Sequence, residues 1–206
     1  MSEFYYLQDS RSYTGDCLSF WGLGGSGYYS GLERCQQYTK KEAARMHKSR
    51  ESDIPLPVSY IEQRSFRAVD CQLMKPEEAE GIAPGSMVYI HQPGDWNGND
   101  VYWIGAHHRT VNLDHAEAMS LELAQEIFGI DERFKFWPVA FIDSIARRIV
   151  HRQDVDTKKA LRGTGIKLIK PKPPAKPSYR CEPCGRFIKL TDFYGGNCPN
   201  CGATNY

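Results

Sequence analysis

Short runs of apolar and aromatic residues, separated by polar turns, predict strands in two separate parts of the chain. The first pair of predicted strands spans 4–8 and 18–22, and the second pair spans 87–91 and 101–105. The turn within each pair is rich in glycine, aspartate, asparagine and serine, which are residues that tight turns favour. The pattern therefore predicts two β-hairpins.

A helix follows each predicted hairpin. Thr39 precedes Glu42 by three positions, which is the spacing of a capping box, and Ser120 stands at the matching cap position of the second helix. The apolar positions of the two helices match in pairs and recur at helical spacing: Ala43 with Ala124, Met46 with Ile127, and His47 with Phe128. A last segment closes each copy, as a strand or a short helix.

The repeated pattern predicts an internal duplication. The segment 4–22 aligns with 87–105, and the segment 27–72 then aligns with 108–153 without a gap. The expected fold class is therefore α+β, with one module at 1–73 and a related module at 74–154. The short spacer between them favours a packed pair over separate domains.

Four of the seven cysteines form two Cys-x-x-Cys pairs near the end of the chain, each followed by glycine. Cys181 and Cys184 form the first pair, and Cys198 and Cys201 form the second. This spacing is typical of a zinc site with four thiolate ligands, although two disulfides are the alternative. Because four thiolates leave no open coordination position, one structural Zn²⁺ is predicted, in a zinc ribbon at 180–206.

Residues 155–179 are predicted to be a basic, proline-rich linker that is extended and semi-rigid. The tail at 155–206 holds ten basic and three acidic side chains, whereas 74–154 holds seven basic and thirteen acidic ones. Such a tail is either an interaction segment for polyanions or acidic partners, or a solvated spacer.

Basic residues in the tail alternate with aromatic ones, a combination that can neutralise phosphates and stack on bases. For Phe187 and Phe193, packing within the ribbon is the alternative to stacking on bases. The candidate contacts to nucleic acid or a partner are Lys158, Lys159, Arg162, Lys167, Lys170, Lys172, Lys176, Arg180, Arg186, Lys189 and Tyr194.

Other motifs are weaker. The glycine-rich segment 22–27 is better explained as a turn than as a phosphate loop, because no helix is predicted to start directly after it. His107 and His108 are expected in a surface loop.

An acid followed five positions later by an arginine recurs in the two copies, as Glu62 with Arg67 and as Asp143 with Arg148. These recurring acid–arginine pairs suggest either a local ion pair in each module or a duplicated active site.

The first module resembles a small module of phage and prophage accessory proteins. The shared features are Gln-Asp-Ser-Arg at 8–11, Trp-Gly at 21–22, Gly-Tyr at 27–28, and Tyr-Thr with Glu-Ala between 38 and 43. Cys35 stands where that module has alanine. The resemblance covers about residues 4–72 and implies no known chemistry, but it favours a phage protein that acts on host machinery.

Three functions are consistent with these observations. The leading hypothesis is a non-enzymatic binding protein that targets a host protein or nucleoprotein complex, such as a defence system, and contacts DNA or RNA through its tail. The second is an enzyme acting on nucleotides or nucleic acid, with Tyr13 and Trp96 beside the recurring acids and arginines. The third is a zinc-stabilised assembly protein. A cytoplasmic location without membrane contact is expected, since no apolar run reaches about 18 residues.

Overall fold

The computed structural model describes residues 4–129, 133–169 and 179–204, and its fold is mixed α+β. It divides into two compact units, Met1–Lys170 and Pro171–Tyr206. The strands are β1 Phe4–Thr14, β2 Cys17–Trp21, β3 Tyr28–Tyr29, β4 Tyr38–Thr39, β5 Asp53–Pro57, β6 Phe66–Ala68, β7 Met87–Asn97, β8 Asp100–Ile104, β9 Arg109–Thr110, β10 Met119–Ser120, β11 Lys135–Pro138, β12 Arg147–Ile149, β13 Tyr179–Arg180 and β14 Phe187–Ile188. The α-helices are α1 Lys40–Ser49, α2 Val58–Glu62, α3 Leu121–Phe128, α4 Val139–Ile145, α5 Thr157–Ala160 and α6 Leu190–Tyr194.

The first unit contains two five-stranded sheets with the same strand pairing. In one sheet the order is β3-β2-β1-β4, with β5 also paired to β1; in the other it is β9-β8-β7-β10, with β11 paired to β7. Both long strands have an irregular register before the hairpin turn, between Gln8 and Tyr13 and between His91 and Trp96. Residues 4–82 are called the first half below, and residues 83–169 the second half.

The helix caps agree with the sequence. The Thr39 hydroxyl accepts a hydrogen bond from the Glu42 amide, and the Glu42 carboxylate accepts one from the Thr39 amide, so the capping box is present. Ser120 caps α3 through the Leu123 amide. Ala43, His47 and Ala124 are buried as predicted, but Ile127 is 58% exposed. The predicted apolar face is therefore wrong at Ile127.

The last segments of the two copies contain β6 and β12 and are called the closing segments; they cross over. β6 and β12 pair antiparallel, with Arg67 directly opposite Arg148. Beyond this pairing, Val69 joins the core of the second half, around Trp103, and Val150 joins the core of the first half, around Phe20. Each half therefore completes the hydrophobic core of the other.

Ion pairs at this crossing also join the two halves. Arg67 donates to Asp143 at 2.8 Å and to Asp114 at 2.7 Å. Arg148 binds Glu62 at 3.3 Å and also pairs with Glu33. The local pairing expected within each module is not what forms, because each arginine reaches the acids of the opposite half.

The chain after each closing segment continues onto the opposite half. Met74 and Ala79 pack on the core of the second half, and Val155 and Ala160 pack on that of the first. Residues 155–169, called the C-terminal arm, therefore belong to the folded first unit. The prediction that the linker begins at residue 155 differs from the structure here, since buried apolar side chains hold the arm in place. The proline-rich part at 170–178 lies outside the described residues.

The second unit is small and is described by itself. Its hairpin of β13 and β14 is followed by α6, and an isolated bridge joins Asn197 to Thr204. Within the described ranges, no helix in either unit has the length and apolarity needed to cross a bilayer.

Candidate metal centre and interaction surfaces

The four cysteines of the second unit converge on one point. Their sulfur atoms all lie within 4.8 Å of one another. Two of the separations are 3.6 Å, between Cys181 and Cys201, and 3.8 Å, between Cys184 and Cys198. Four sulfurs around zinc at about 2.3 Å would be about 3.8 Å apart in a tetrahedron. The cluster is therefore close enough to hold a metal ion, and its dimensions fit zinc.

The local backbone explains why the sulfurs converge. The Gly185 amide donates to the Cys181 carbonyl at 2.7 Å, and the Gly202 amide donates to the Cys198 carbonyl at 2.8 Å, so both turns fold back in the same way. Both glycines have positive φ, 69° and 74°, a conformation that other residues adopt at a cost.

Backbone amides favour the thiolate form of one of the four cysteines. Burial favours the neutral form of Cys198, but backbone amides, including that of Asn200 at 3.4 Å, outweigh it and lower the pKa to about 6. Amide donors stabilise a thiolate, which is the form that binds a metal.

The remaining cysteines have a different environment. Cys17 and Cys35 are buried, and Cys71 is partly buried. Burial raises the pKa of Cys35 to about 12 and also raises that of Cys17. These two thiols are neutral at ordinary pH, so they are poor nucleophiles and poor metal ligands.

Aromatic residues of the second unit divide into a packed group and an exposed group. Phe193 lies 5.0 Å from Tyr179, between ring centroids, and is partly buried. Phe187 is 61% exposed, and the Arg180 guanidinium lies 4.4 Å from its ring centroid. Tyr194 is 74% exposed. Phe193 thus has the packing role expected of one of the two phenylalanines, whereas Phe187 is available to a partner.

The basic candidates fall in different parts of the molecule. Four are exposed on the C-terminal arm in the first unit: Lys158, Lys159, Arg162 and Lys167. Three are exposed in the second unit: Arg180, Arg186 and Lys189. Lys170, Lys172 and Lys176 lie outside the described residues.

The six residues of the hypothetical enzyme site do not form an evident catalytic arrangement. The Glu62 and Asp143 side chains are 37% and 39% exposed and are engaged in the ion pairs with Arg148 and Arg67. Tyr13 and Trp96 are 41% and 50% exposed, near the tips of the two long hairpins. These positions favour structural pairing and surface contact over acid–base chemistry.

The weaker motifs are surface turns. The glycine-rich segment forms a short 3-10 turn at Leu23–Gly25, and the next α-helix begins only at Lys40. His107 and His108 are exposed in the turn before β9. Within the described ranges, the four cysteines are the one group of three or more potential metal ligands that converges.

A groove between the end of the first half and two elements of the second half was not predicted from the sequence. It measures about 420 Å³ and lies between α3, β11 and the segment 76–82. Its lining residues are Pro76, Ala79, Glu80, Gly81, Ile82, Leu121, Gln125, Phe134, Lys135 and Phe136. No local motif marks it, because its walls come from three separate segments. A signal was nonetheless present in the apolar Phe-x-Phe pattern at 134–136.

Comparisons with protein-family models, with curated proteins and with solved structures gave no match to this chain. Its function must therefore be argued from its own residues.

Proposed function

We propose that this chain is a non-enzymatic binding protein whose C-terminal ribbon folds around one Zn²⁺ and contacts nucleic acid. The observation that carries the proposal is the exposure of Tyr194 and of Phe187, whose ring contacts the Arg180 guanidinium, on a unit whose four cysteines converge. Cys181, Cys184, Cys198 and Cys201 would hold the ion. Because they would complete its coordination, the metal would stabilise the fold without activating a substrate.

Single-stranded nucleic acid is the form that fits this surface best. An exposed aromatic ring offers a stacking face to an unpaired base, and nearby cations neutralise its phosphates. Arg180, Arg186 and Lys189 supply those cations in the ribbon. Lys170, Lys172 and Lys176 would add positive charge along the preceding chain.

The first unit, called the body below, would supply the second contact by docking on a protein. In this proposal the two halves arose by duplication, and the supporting observation is that the aligned segments share one pattern of strand pairing. The resemblance of residues 4–72 to modules of phage accessory proteins supports a target in host nucleic-acid-handling machinery, including a defence system, within the host cytoplasm.

The test compares the zinc-loaded full chain with a chain ending at residue 169, which keeps the arm. Binding of both to single-stranded and duplex DNA and RNA is measured by fluorescence anisotropy at about 50 and 200 mM salt. We expect the full chain to bind single strands more tightly, with affinity falling as salt rises, and the shorter chain to bind at least tenfold more weakly.

Variants then locate the contact. Tyr194→Ala should weaken binding of single strands by about 1–3 kcal/mol if a base stacks there. Tyr13→Ala removes another exposed tyrosine, on the body, and should leave binding unchanged. Equal binding by the full chain and the shortened chain, or no binding by either, would contradict a nucleic-acid role for the ribbon.

A further inference from the structure

The first half carries a basic face formed by α1 and the C-terminal arm. Lys41, Arg45 and Lys48 stand at positions i, i+4 and i+7 of α1, so they share one side of the helix. Ala43 and His47 mark the buried side. The basic side chains of α1 and the arm are all exposed: Lys40, Lys41, Arg45, Lys48, Lys158, Lys159, Arg162 and Lys167.

The arm places its own charges next to those of the helix. A Cβ on Gly165 would lie 3.5 Å from Lys40 Nζ, at the start of α1. The Ile169 amide donates to His47 Nε2 at 2.9 Å, near the end of α1. The arm thus contacts α1 at both ends of the helix, and Lys167 lies between the two contacts along the chain. The two segments therefore form one continuous surface.

The acidic side chains of these two segments serve helix caps. Glu42 accepts hydrogen bonds from the Thr39 amide at 2.9 Å and from the Thr39 hydroxyl at 2.7 Å. Asp156 accepts hydrogen bonds from the amides of Lys158 and Lys159 at 2.9 and 3.1 Å. With eight basic and two acidic side chains, the segments 40–49 and 155–169 carry a formal charge of +6. The charged residues that flank them cancel: Arg50, Glu51, Arg152 and Asp154.

The second half has the same framework with the opposite charge. The alignment of the halves extends to the short helical turns Pro76–Ala79 and Thr157–Ala160, and the last alanine of each packs on the core of the opposite half. Four basic positions of the first half are glutamates in the second: Lys41 matches Glu122, Arg45 matches Glu126, Lys158 matches Glu77, and Lys159 matches Glu78. Since the framework accepts either sign, folding does not explain the positive charge of this face.

Phosphate is the ligand chemistry that this face fits. Lysine and arginine side chains neutralise phosphates and donate hydrogen bonds to their oxygens. The segments 40–49 and 155–169 contain no phenylalanine, tyrosine or tryptophan, so they offer no ring on which a base could stack. Contacts to phosphates alone serve a duplex as well as a single strand. Lys170, Lys172 and Lys176 follow the arm in the sequence and connect it with the basic residues of the ribbon.

We propose that the basic face of the first half binds the phosphate backbone of nucleic acid, independently of base sequence. The glutamates at the matching positions of the second half repel the same backbone, so only one half makes this contact. The inference rests on the proposed function, which assigns nucleic acid to the ribbon, and adds a second contact of different selectivity. The ribbon favours single strands through stacking, whereas the basic face accepts duplex and single strands alike.

The test measures binding of the zinc-loaded full chain to a DNA duplex of about 20 base pairs, by fluorescence anisotropy between about 50 and 200 mM salt. The double variant Lys41→Glu/Arg45→Glu introduces the residues that α3 carries at the matching positions, so α1 should still form. It should weaken duplex binding at least about tenfold at about 50 mM salt and reduce the slope of log K against log salt by about 2.

A matched control makes the same change in net charge away from this face. Lys75 and Lys135 are exposed and lie outside α1 and the arm. Lys75→Glu/Lys135→Glu should leave the duplex affinity and its salt dependence nearly unchanged. Urea unfolding followed by tryptophan emission confirms that both double variants are folded.

Each outcome decides the proposal. Absence of duplex binding at about 50 mM salt overturns it, and so does duplex binding that Lys41→Glu/Arg45→Glu leaves intact. Self-association, with the basic face of one copy against the glutamates of another, is the rival outcome. In that case the double variant would convert a dimer into a monomer in sedimentation and leave duplex affinity unchanged, which also overturns the proposal.

Tyr194→Ala separates this inference from the role of the ribbon. If Tyr194→Ala weakens single-strand binding while Lys41→Glu/Arg45→Glu has no effect on duplex binding, the basic face is excluded and the ribbon contact stands. If the double variant weakens duplex binding while Tyr194→Ala has no effect on single strands, the basic face is confirmed and stacking on the ribbon is excluded.

Discussion

At the residue scale, burial controls the protonation of His91. Its side chain lies against Trp103 and Trp137, with ring centroids 5.7 and 5.9 Å away. Burial, assisted by the positive charge of Lys135, lowers the pKa of His91 to about 4, and Asp95 opposes this only in part. His91 is therefore neutral in the folded protein over most of the pH range.

This shift predicts acid sensitivity of the body. The unfolded chain protonates His91 near pH 6.5, and the folded chain only near pH 4, so stability is lost as pH falls between these values. At pH 5 the loss should be about 2 kcal/mol relative to pH 8. His91→Gln, which introduces the residue found at the matching position Gln8, should reduce the pH dependence by that amount in urea unfolding followed by tryptophan emission. An unchanged pH profile would show that His91 does not contribute.

Asp100 is a second residue whose role depends on burial. It is 1% exposed, pairs with Arg147 at 2.9 Å and accepts a hydrogen bond from the Cys17 thiol at 3.0 Å. Burial raises the pKa of Asp100, and the Arg147 guanidinium partly offsets this. No local pattern in the sequence marks this contact, since both partners are distant from Asp100 along the chain.

Asp100→Ala should therefore destabilise the body by about 3 kcal/mol, because it leaves Arg147, whose side chain is only 13% exposed, with one acid fewer. Asp114→Ala breaks an exposed ion pair with Arg67 and should cost less than about 1 kcal/mol. The free energy of unfolding of each variant, measured in urea and compared with that of the unchanged chain, checks both expectations. Similar losses for the two variants would refute the distinction between the buried and the exposed pair.

At the element scale, the short-range patterns predicted well and the long-range ones did not. Hairpins, helix caps and Cys-x-x-Cys turns depend on neighbouring residues, so Thr39, Ser120 and Gly185 could be interpreted directly. The exchange of Val69 and Val150 and the docking of the C-terminal arm depend on contacts between distant segments. A basic, glycine-containing segment such as 158–167 has the composition of a linker, and its buried Ala160 and Leu161 give no periodic signal of burial.

The arm predicts a sharp difference between two truncations. A chain ending at residue 154 lacks Val155, Ala160 and Ile166, which pack on the core of the first half, and the buried Leu161. It should be less stable than a chain ending at 169 by on the order of 4 kcal/mol. Urea unfolding of both chains provides the measurement. Equal midpoints would mean that the arm contributes no stability. Binding tests should therefore use the chain ending at 169. A chain ending at 154 lacks both the tail and the arm, so a loss of binding could come from either.

At the scale of the whole molecule, the two units should respond separately to metal removal. All four tryptophans, Trp21, Trp96, Trp103 and Trp137, lie in the first unit. If zinc folds the ribbon, chelation should release one zinc per chain and unfold residues 179–204, while tryptophan emission and the urea midpoint of the body remain unchanged. Native mass spectrometry and NMR spectra of the amides report the first two effects. A shift of tryptophan emission on chelation would contradict independent folding of the units.

The crossing of the closing segments has a consequence for the newly made chain. Leu18 donates its amide to Val150, a partner from the far end of the first unit, and Val101 donates to Val69. The first half therefore leaves the ribosome without the valine and the arm that complete its core, and apolar surface around Phe20 stays open until translation has passed Ile166. Folding of the body should be slow, late and all-or-none, and ribosomes that stall before residue 166 should release chains that aggregate or are degraded.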